Sequence, residues 1–210
     1  MDFKDFRERT ITSFLIFFVF SIVVLFFDTY LKILVYFIYI VIFIELIIFF
    51  RKKTYIFLIS LFYLFISFLC FNSYLNNYYI KDIFIYAIML VIIFDIISYT
   101  FGVKFGRLKI LPIISPNKTY VGFFSGFSIT FIFGSFFNFY YNFFETDLMI
   151  YFIFFTLISA FLGDIIESLF KRKSNLKNSS EFLPGHGGFF DRFDSLIMMV
   201  IWLYIFNLII

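Results

Sequence analysis

Charge is what this sequence has least of. Charged residues fill 15% of its 210 positions, hydrophobic ones 63%, and the mean hydropathy is +1.01. A water-soluble domain of this length could not hide so much apolar surface, so the medium around it is lipid. A single cysteine, Cys70, excludes an intramolecular disulfide, and its place in an apolar run predicts a small buried hydrophobe. A single histidine, His186, with no second histidine or thiolate beside it, excludes an ordinary zinc site. There is no low-complexity linker, no internal repeat and no soluble domain. No small-residue cleavage site follows the polar opening MDFKDFRERT, so no cleavable signal is expected. What is plentiful is aromatic: 41 Phe and 15 Tyr, read as compositional bias towards bulky lipid-facing side chains. The net charge of +3 says little about partners, and no nucleic acid is expected among them.

Apolar runs bounded by polar residues lie at about 11–27, 33–50, 54–71, 83–103, 121–144, 148–170 and 195–210. Most reach the roughly 17–25 residues that cross a bilayer core of about 30 Å. Backbone groups in lipid must be satisfied internally, and no alternating period-two pattern marks a barrel, so the runs are helices. The expected fold is an all-α, polytopic transmembrane bundle of about seven spans, with six to eight allowed because the last run is short. Its organisation divides into N-terminal transmembrane helices over 1–82 and a catalytic membrane region over 83–210. With the N-terminus cytoplasmic, 15 of the 17 Lys and Arg residues fall on one side; only Lys32 and Lys81 fall on the other. This asymmetry predicts cytoplasmic basic loops carrying the active site and a C-terminus on the opposite side.

The polar residues interleaved in the last basic segments point to chemistry. SPNKT, at 115–119, offers hydroxyls, Lys118 and turn backbone to phosphate oxygens. Gly102/Gly106 and Gly122/Gly126 have the spacing of close helix packing, which also permits a homodimer. Asp95 lies roughly 13 Å inside its span and is either functional or a buried partner for a basic residue. Glu45 is closer to the basic end of its own run, where snorkelling or pairing near Arg51 is expected. In GDIIESLFKRK, Asp164 lies about 9 Å inside the membrane, and Asp164 and Glu167 share a helix face. In GHGGFFDRFDS, Asp191 and Asp194 are again three apart. Carboxylates suit hard divalent cations, and the basic residues Lys171, Arg172, Lys177 and Arg192 suit phosphates. Phosphoryl or nucleotidyl transfer uses both. Glycines at 185, 187 and 188 allow close backbone approach, and His186 is a general base, a phosphate donor or a metal ligand.

Taken together, SLFKR with Lys177, then LPGHGGFFDRFDS, preceded by Asp95, SPNKTYVGF and GDIIESLFKR, resemble the signature of the CDP-diacylglycerol synthase (phosphatidate cytidylyltransferase) family over roughly residues 90–200. The resemblance implies a membrane enzyme of phospholipid biosynthesis that joins CTP and phosphatidic acid into CDP-diacylglycerol and pyrophosphate. The implied cofactor is Mg²⁺, with room for a second, monovalent cation, and the implied place is the bacterial inner membrane. By matched position Asp164 and Asp191 are metal ligands, and Asp194, Lys118, His186 and Arg192 are catalytic. Ser115, Lys118, Thr119, Lys171, Arg172, Lys177, Gly187, Gly188 and Asp95 contact substrate. A phosphatidate oxygen would attack the α-phosphorus of CTP. Two departures stand out: Asn178 replaces the family's usual aspartate, and Val121 its usual glutamate. The alternatives are a CTP-dependent polyprenol or phytol kinase, a catalytically impaired homologue, or a transporter. The last would require more ionisable residues near the midplane.

Overall fold

The computed structural model describes residues 28–51, 53–176, 179–180 and 188–210, with isolated positions 18, 22, 23 and 26 before them. Most of the apolar run at 11–27 and the loop residues Lys177, Asn178, Gly185, His186 and Gly187 therefore lie outside the described residues. Six helices follow one another: α1 (Asp28–Glu45), α2 (Thr54–Asn77), α3 (Lys81–Phe105), α4 (Tyr120–Tyr141), α5 (Thr146–Lys173) and α6 (Phe190–Ile209). Among the described residues all six are long and apolar enough to cross a membrane, α1 together with the π-helical turn Leu46–Phe50 that continues it. The chain is a polytopic membrane bundle built almost wholly of helices.

The helices alternate in direction, and side chains tie their ends at two opposite faces. At the basic face Lys53 Nζ donates to the carbonyl of Lys173 (2.6 Å), and Arg172 Nε donates to that of Ile114. At the other face Lys32 Nζ donates to Asn76 Oδ1 (2.7 Å). Among the described residues, the basic segments around 53, 104–118 and 171–173 thus gather at one end of the bundle.

One element departs from the sequence expectation. SPNKT is not a turn but a strand, β2 (Ser115–Thr119), paired antiparallel with β1 (Lys109–Leu111) in the register Lys109↔Thr119 and Leu111↔Ser115. A hairpin of this size is marginal alone, and proline is tolerated in it because both strands are edges. It holds because β2 leads straight into α4. Thr119 is the N-cap of that helix, its hydroxyl accepting from Gly122 N–H at 3.1 Å.

Glycine sets the closest approaches, as its spacing implies. Gly102 faces the Cα of Gly122, and a Cβ on Gly126 would overlap Ser98 Oγ, so α3 and α4 use both GxxxG pairs within the chain. Gly163 of α5 sits against the backbone of Asp194 in α6, whose carbonyl oxygen a Cβ would strike. Phenylalanine serves two purposes. Phe136 and Phe139 of α4 are exposed towards the position of lipid, whereas Phe137 and Phe152 stack on fully buried Tyr86, whose hydroxyl donates to the Gly134 carbonyl. Cys70 is half-buried rather than enclosed.

Candidate active site

Between α3, α4, α5, α6 and β2, at the basic face, is a cavity of about 610 Å³. Of the residues the sequence singles out, Asp95, Ser115, Lys118, Thr119, Asp164, Lys171, Arg172, Asp191, Arg192 and Asp194 all line it. They come from segments separated by up to a hundred positions in the chain. Gly188 stands beside the cavity rather than in its wall, donating its N–H to Asp191 Oδ2 at 3.0 Å. His186, Lys177 and Gly187 fall outside the described residues. Val121 is exposed on α4 and is not among the residues lining the cavity.

Each side chain is placed by its element. Asp95 is ten positions from the end of α3, so it lies about 15 Å below that end at 1.5 Å per residue. It is exposed, and it opens into the cavity, with the Ser195 hydroxyl as a hydrogen-bond partner. That answers how a carboxylate survives at this depth: the cavity gives it polar surroundings. β2 projects Lys118 inward, its Nζ 2.7 Å from Asp164 Oδ2 and over the face of Phe161 at 4.5 Å from the ring centroid. The ring and the carboxylate together fix the ammonium on its long stem. Asp164 also accepts from Ser168 Oγ, one helical turn further on (3.3 Å).

The acids divide into two groups. Asp95, Asp164 and Asp194 face one another within electrostatic range, and the ion pair made there is that of Lys118 with Asp164. In the second group Lys171 Nζ lies 2.7 Å from both Glu167 Oε2 and Asp191 Oδ1. Asp191 in addition accepts from Ser179 N–H and Gly188 N–H, each at 3.0 Å. Asp191 is thus engaged by Lys171 and two backbone N–H groups, with Glu167 as a further hydrogen-bond partner, and Asp164 by Lys118 and Ser168. Among the described residues no three Asp, Glu, His or Cys side chains converge in a ready metal cage. The donor set nevertheless fits a hard divalent cation. It consists of carboxylates in a polar cavity, and an ion of the Mg²⁺ kind keeps several waters while taking only one or two carboxylates plus phosphate oxygens.

One feature was misread from the sequence and another was missed. Glu45 neither snorkels nor pairs with Arg51: it is fully buried. Its Oε1 accepts from Ser179 Oγ (2.7 Å) and its Oε2 from Phe190 N–H (3.0 Å). The π-helical turn that starts one residue later carries the chain to Arg51 on the exposed surface, while Glu45 turns inward. The second feature is Tyr63 of α2, whose buried hydroxyl, without a hydrogen-bond partner among the described residues, lies within electrostatic range of Asp194 and Glu167. Glu45 had a legible signal, an ionisable residue in an apolar run; Tyr63, one of fifteen tyrosines, had none.

A helical membrane bundle whose basic face opens into a cavity lined by both carboxylates and cations is an integral-membrane protein with the groups that phosphate chemistry uses. Comparison of the sequence with known families makes this specific. The chain belongs to the cytidylyltransferase family, which it matches over residues 51–210. It is 38% identical over 118 residues to a phosphatidate cytidylyltransferase of Staphylococcus haemolyticus, covering 55% of this chain and 45% of that one. The Bacillus subtilis phosphatidate cytidylyltransferase is 38% identical over 136 residues, 62% of this chain and 48% of its own. That of Staphylococcus aureus is 36% identical over 129 residues, 55% and 45%. The chain spans about half the length of the curated relatives it matches.

Proposed function

We propose that the protein transfers the cytidylyl group of CTP to phosphatidic acid, giving CDP-diacylglycerol and pyrophosphate. One observation carries this reading: ten residues matching a cytidylyltransferase signature, from separate stretches of chain, line a single cavity at the basic face. That face would be cytoplasmic, with the C-terminus opposite, in a bacterial cytoplasmic membrane. CTP would enter from water and phosphatidate from the adjoining leaflet.

Lys118, Lys171, Arg172 and Arg192 would hold phosphate oxygens, together with Lys177, His186 and Gly187 of the loop, while Ser115 and Thr119 orient them. A phosphatidate oxygen attacks the α-phosphorus, a new P–O bond forms, and the bond to the departing pyrophosphate breaks. Asp194, beside Asp95 and Asp164, is placed to position the attacking phosphate and accept its proton. Asp164 and Asp191 are the candidate ligands for Mg²⁺, which would supply charge neutralisation across the crowded phosphates. Binding would exchange the Lys118 and Lys171 contacts of these acids for metal and phosphate contacts. Since the GxxxG pairs are used within the chain, a homodimer would form through other surfaces.

The test is conversion of radiolabelled CTP into chloroform-soluble CDP-lipid by purified protein with phosphatidic acid and Mg²⁺. Product that EDTA abolishes and excess Mg²⁺ restores supports the reading. A lipid monophosphate as product would identify a CTP-dependent lipid kinase instead. No product from folded protein would identify an inactive homologue.

A further inference from the structure

Two carboxylates hold the segment that enters α6, and only one belongs to the family signature. Asp191 receives the backbone N–H groups of Ser179 and Gly188. Glu45 receives the Ser179 hydroxyl and the Phe190 N–H, with Ser180 as a further partner. Each acid therefore bridges the start of the 179–190 segment to its end. Phe190 is the first residue of α6, and its cap position, Phe189, supplies no side-chain hydrogen bond. The helix thus takes a cap from α1, 145 residues earlier in the chain. A negative carboxylate at a helix N-terminus is also favoured by the helix dipole.

The fit around Glu45 is tight. It is fully buried, and a Cβ on Gly188 would overlap both its Oε1 and Ser179 Oγ. All its described partners are neutral donors, so its orientation is set by hydrogen bonds with defined directions. Directly across the segment, Asp191 faces the cavity and Lys171. Any slackening at Glu45 must therefore shift the backbone that fixes Asp191.

We propose that Glu45, which lies before the family-matched residues 51–210, is a positioning residue for the transfer reaction, clamping Ser179 to the Gly188–Phe190 stretch so that Asp191 keeps its place. The idea rests on the cytidylyltransferase reading, but the clamp itself is open to a separate test. Glu45→Gln keeps the size of the side chain but turns one acceptor into a donor facing a donor. Ser179→Ala removes one partner only.

Hydrogen exchange on the detergent-solubilised protein reads the clamp directly. In Glu45→Gln, the amides of Ser179, Gly188 and Phe190 should exchange at least about tenfold faster while those of α3 and α4 stay as they were. In the CTP assay kcat should fall about 10- to 100-fold, the range seen when a supporting residue behind a functional group is altered. Glu45→Asp should recover part of the loss. Adding Ser179→Ala to Glu45→Gln should cost less than the product of the two single effects, since both act on one clamp. Unchanged exchange in Glu45→Gln overturns the proposal. So does faster exchange with wild-type kcat, or full multiplicativity in the double variant. Faster exchange in a protein whose wild type makes no CDP-lipid leaves the clamp standing and refutes the reaction instead.

Discussion

At the residue scale, Lys118 distinguishes a phosphate-binding cation from one that merely neutralises Asp164. Its ammonium is held between that carboxylate and the Phe161 ring, in a cavity where both signs are present. Lys118→Met removes the charge but keeps the stem. CDP-lipid formation should then fall about 10²- to 10³-fold, the usual effect of deleting one preorganised donor at developing charge. A variant within threefold of wild type would reduce Lys118 to a structural partner. Asp191→Asn should fail in two ways. It loses the charge facing Lys171, and because the Ser179 and Gly188 N–H groups share one oxygen, Oδ2, the amide must turn its own N–H groups either on both of them or on the Lys171 ammonium. Each donor so opposed costs about 1–3 kcal/mol, so both lower thermal stability and lost activity are expected. Unaltered melting with lost activity would assign Asp191 to chemistry alone. The acids and lysines were legible in the sequence because charge inside apolar runs is rare and costly. The partners of Glu45 were not, because Ser179 and Phe190 lie 134 and 145 positions away and no local pattern encodes such a pairing.

Among the elements, helices were the easiest to read, since a run of twenty apolar residues in lipid has few other options. Their ends were harder. The last apolar run begins at 195, but α6 begins at Phe190, so Asp191 and Asp194 sit inside its first turns. Charged residues that dilute a hydropathy run are here the ones the helix positions. The β1–β2 hairpin was invisible for the opposite reason: three paired residues carry too little pattern, and their pairing depends on α4 beyond them. The element contact with most consequence is that of α5 with α6 at Gly163, because Asp164 and Asp194 are neighbours across it. Gly163→Ala drives a methyl against the Asp194 carbonyl and must separate the helices there. It should cost about 1–3 kcal/mol, as overpacking does, and lower kcat with it. Gly134→Ala is the control. There the nearest atom is Leu90 Cδ2, the end of a flexible side chain that is not among those lining the cavity, so activity should stay within about twofold. Equal loss in both variants would mean that Gly163 matters only as a packing site.

For the whole molecule, the open question is which face meets the cytoplasm. In a Cys70→Ser background, Lys109→Cys on β1 and Glu145→Cys before α5 place exposed thiols at opposite ends of the bundle. An impermeant thiol reagent added to intact cells should label the Glu145→Cys protein, and in inverted vesicles the Lys109→Cys protein. The reverse pattern would put the cavity on the wrong side for CTP. The same geometry has an electrical consequence. The cavity carries polar contact down to Asp95, about 15 Å below the end of α3, so the insulating layer beneath it is thinner than the usual hydrocarbon layer of about 30 Å. A transmembrane voltage falls mainly across what remains below. Multiply charged nucleotides could then reach the cavity floor while crossing little of that field, which would otherwise act at about 2.3 kcal/mol per charge for each 100 mV traversed. Turnover by the protein in sealed vesicles should be nearly the same whether the membrane is polarised or not.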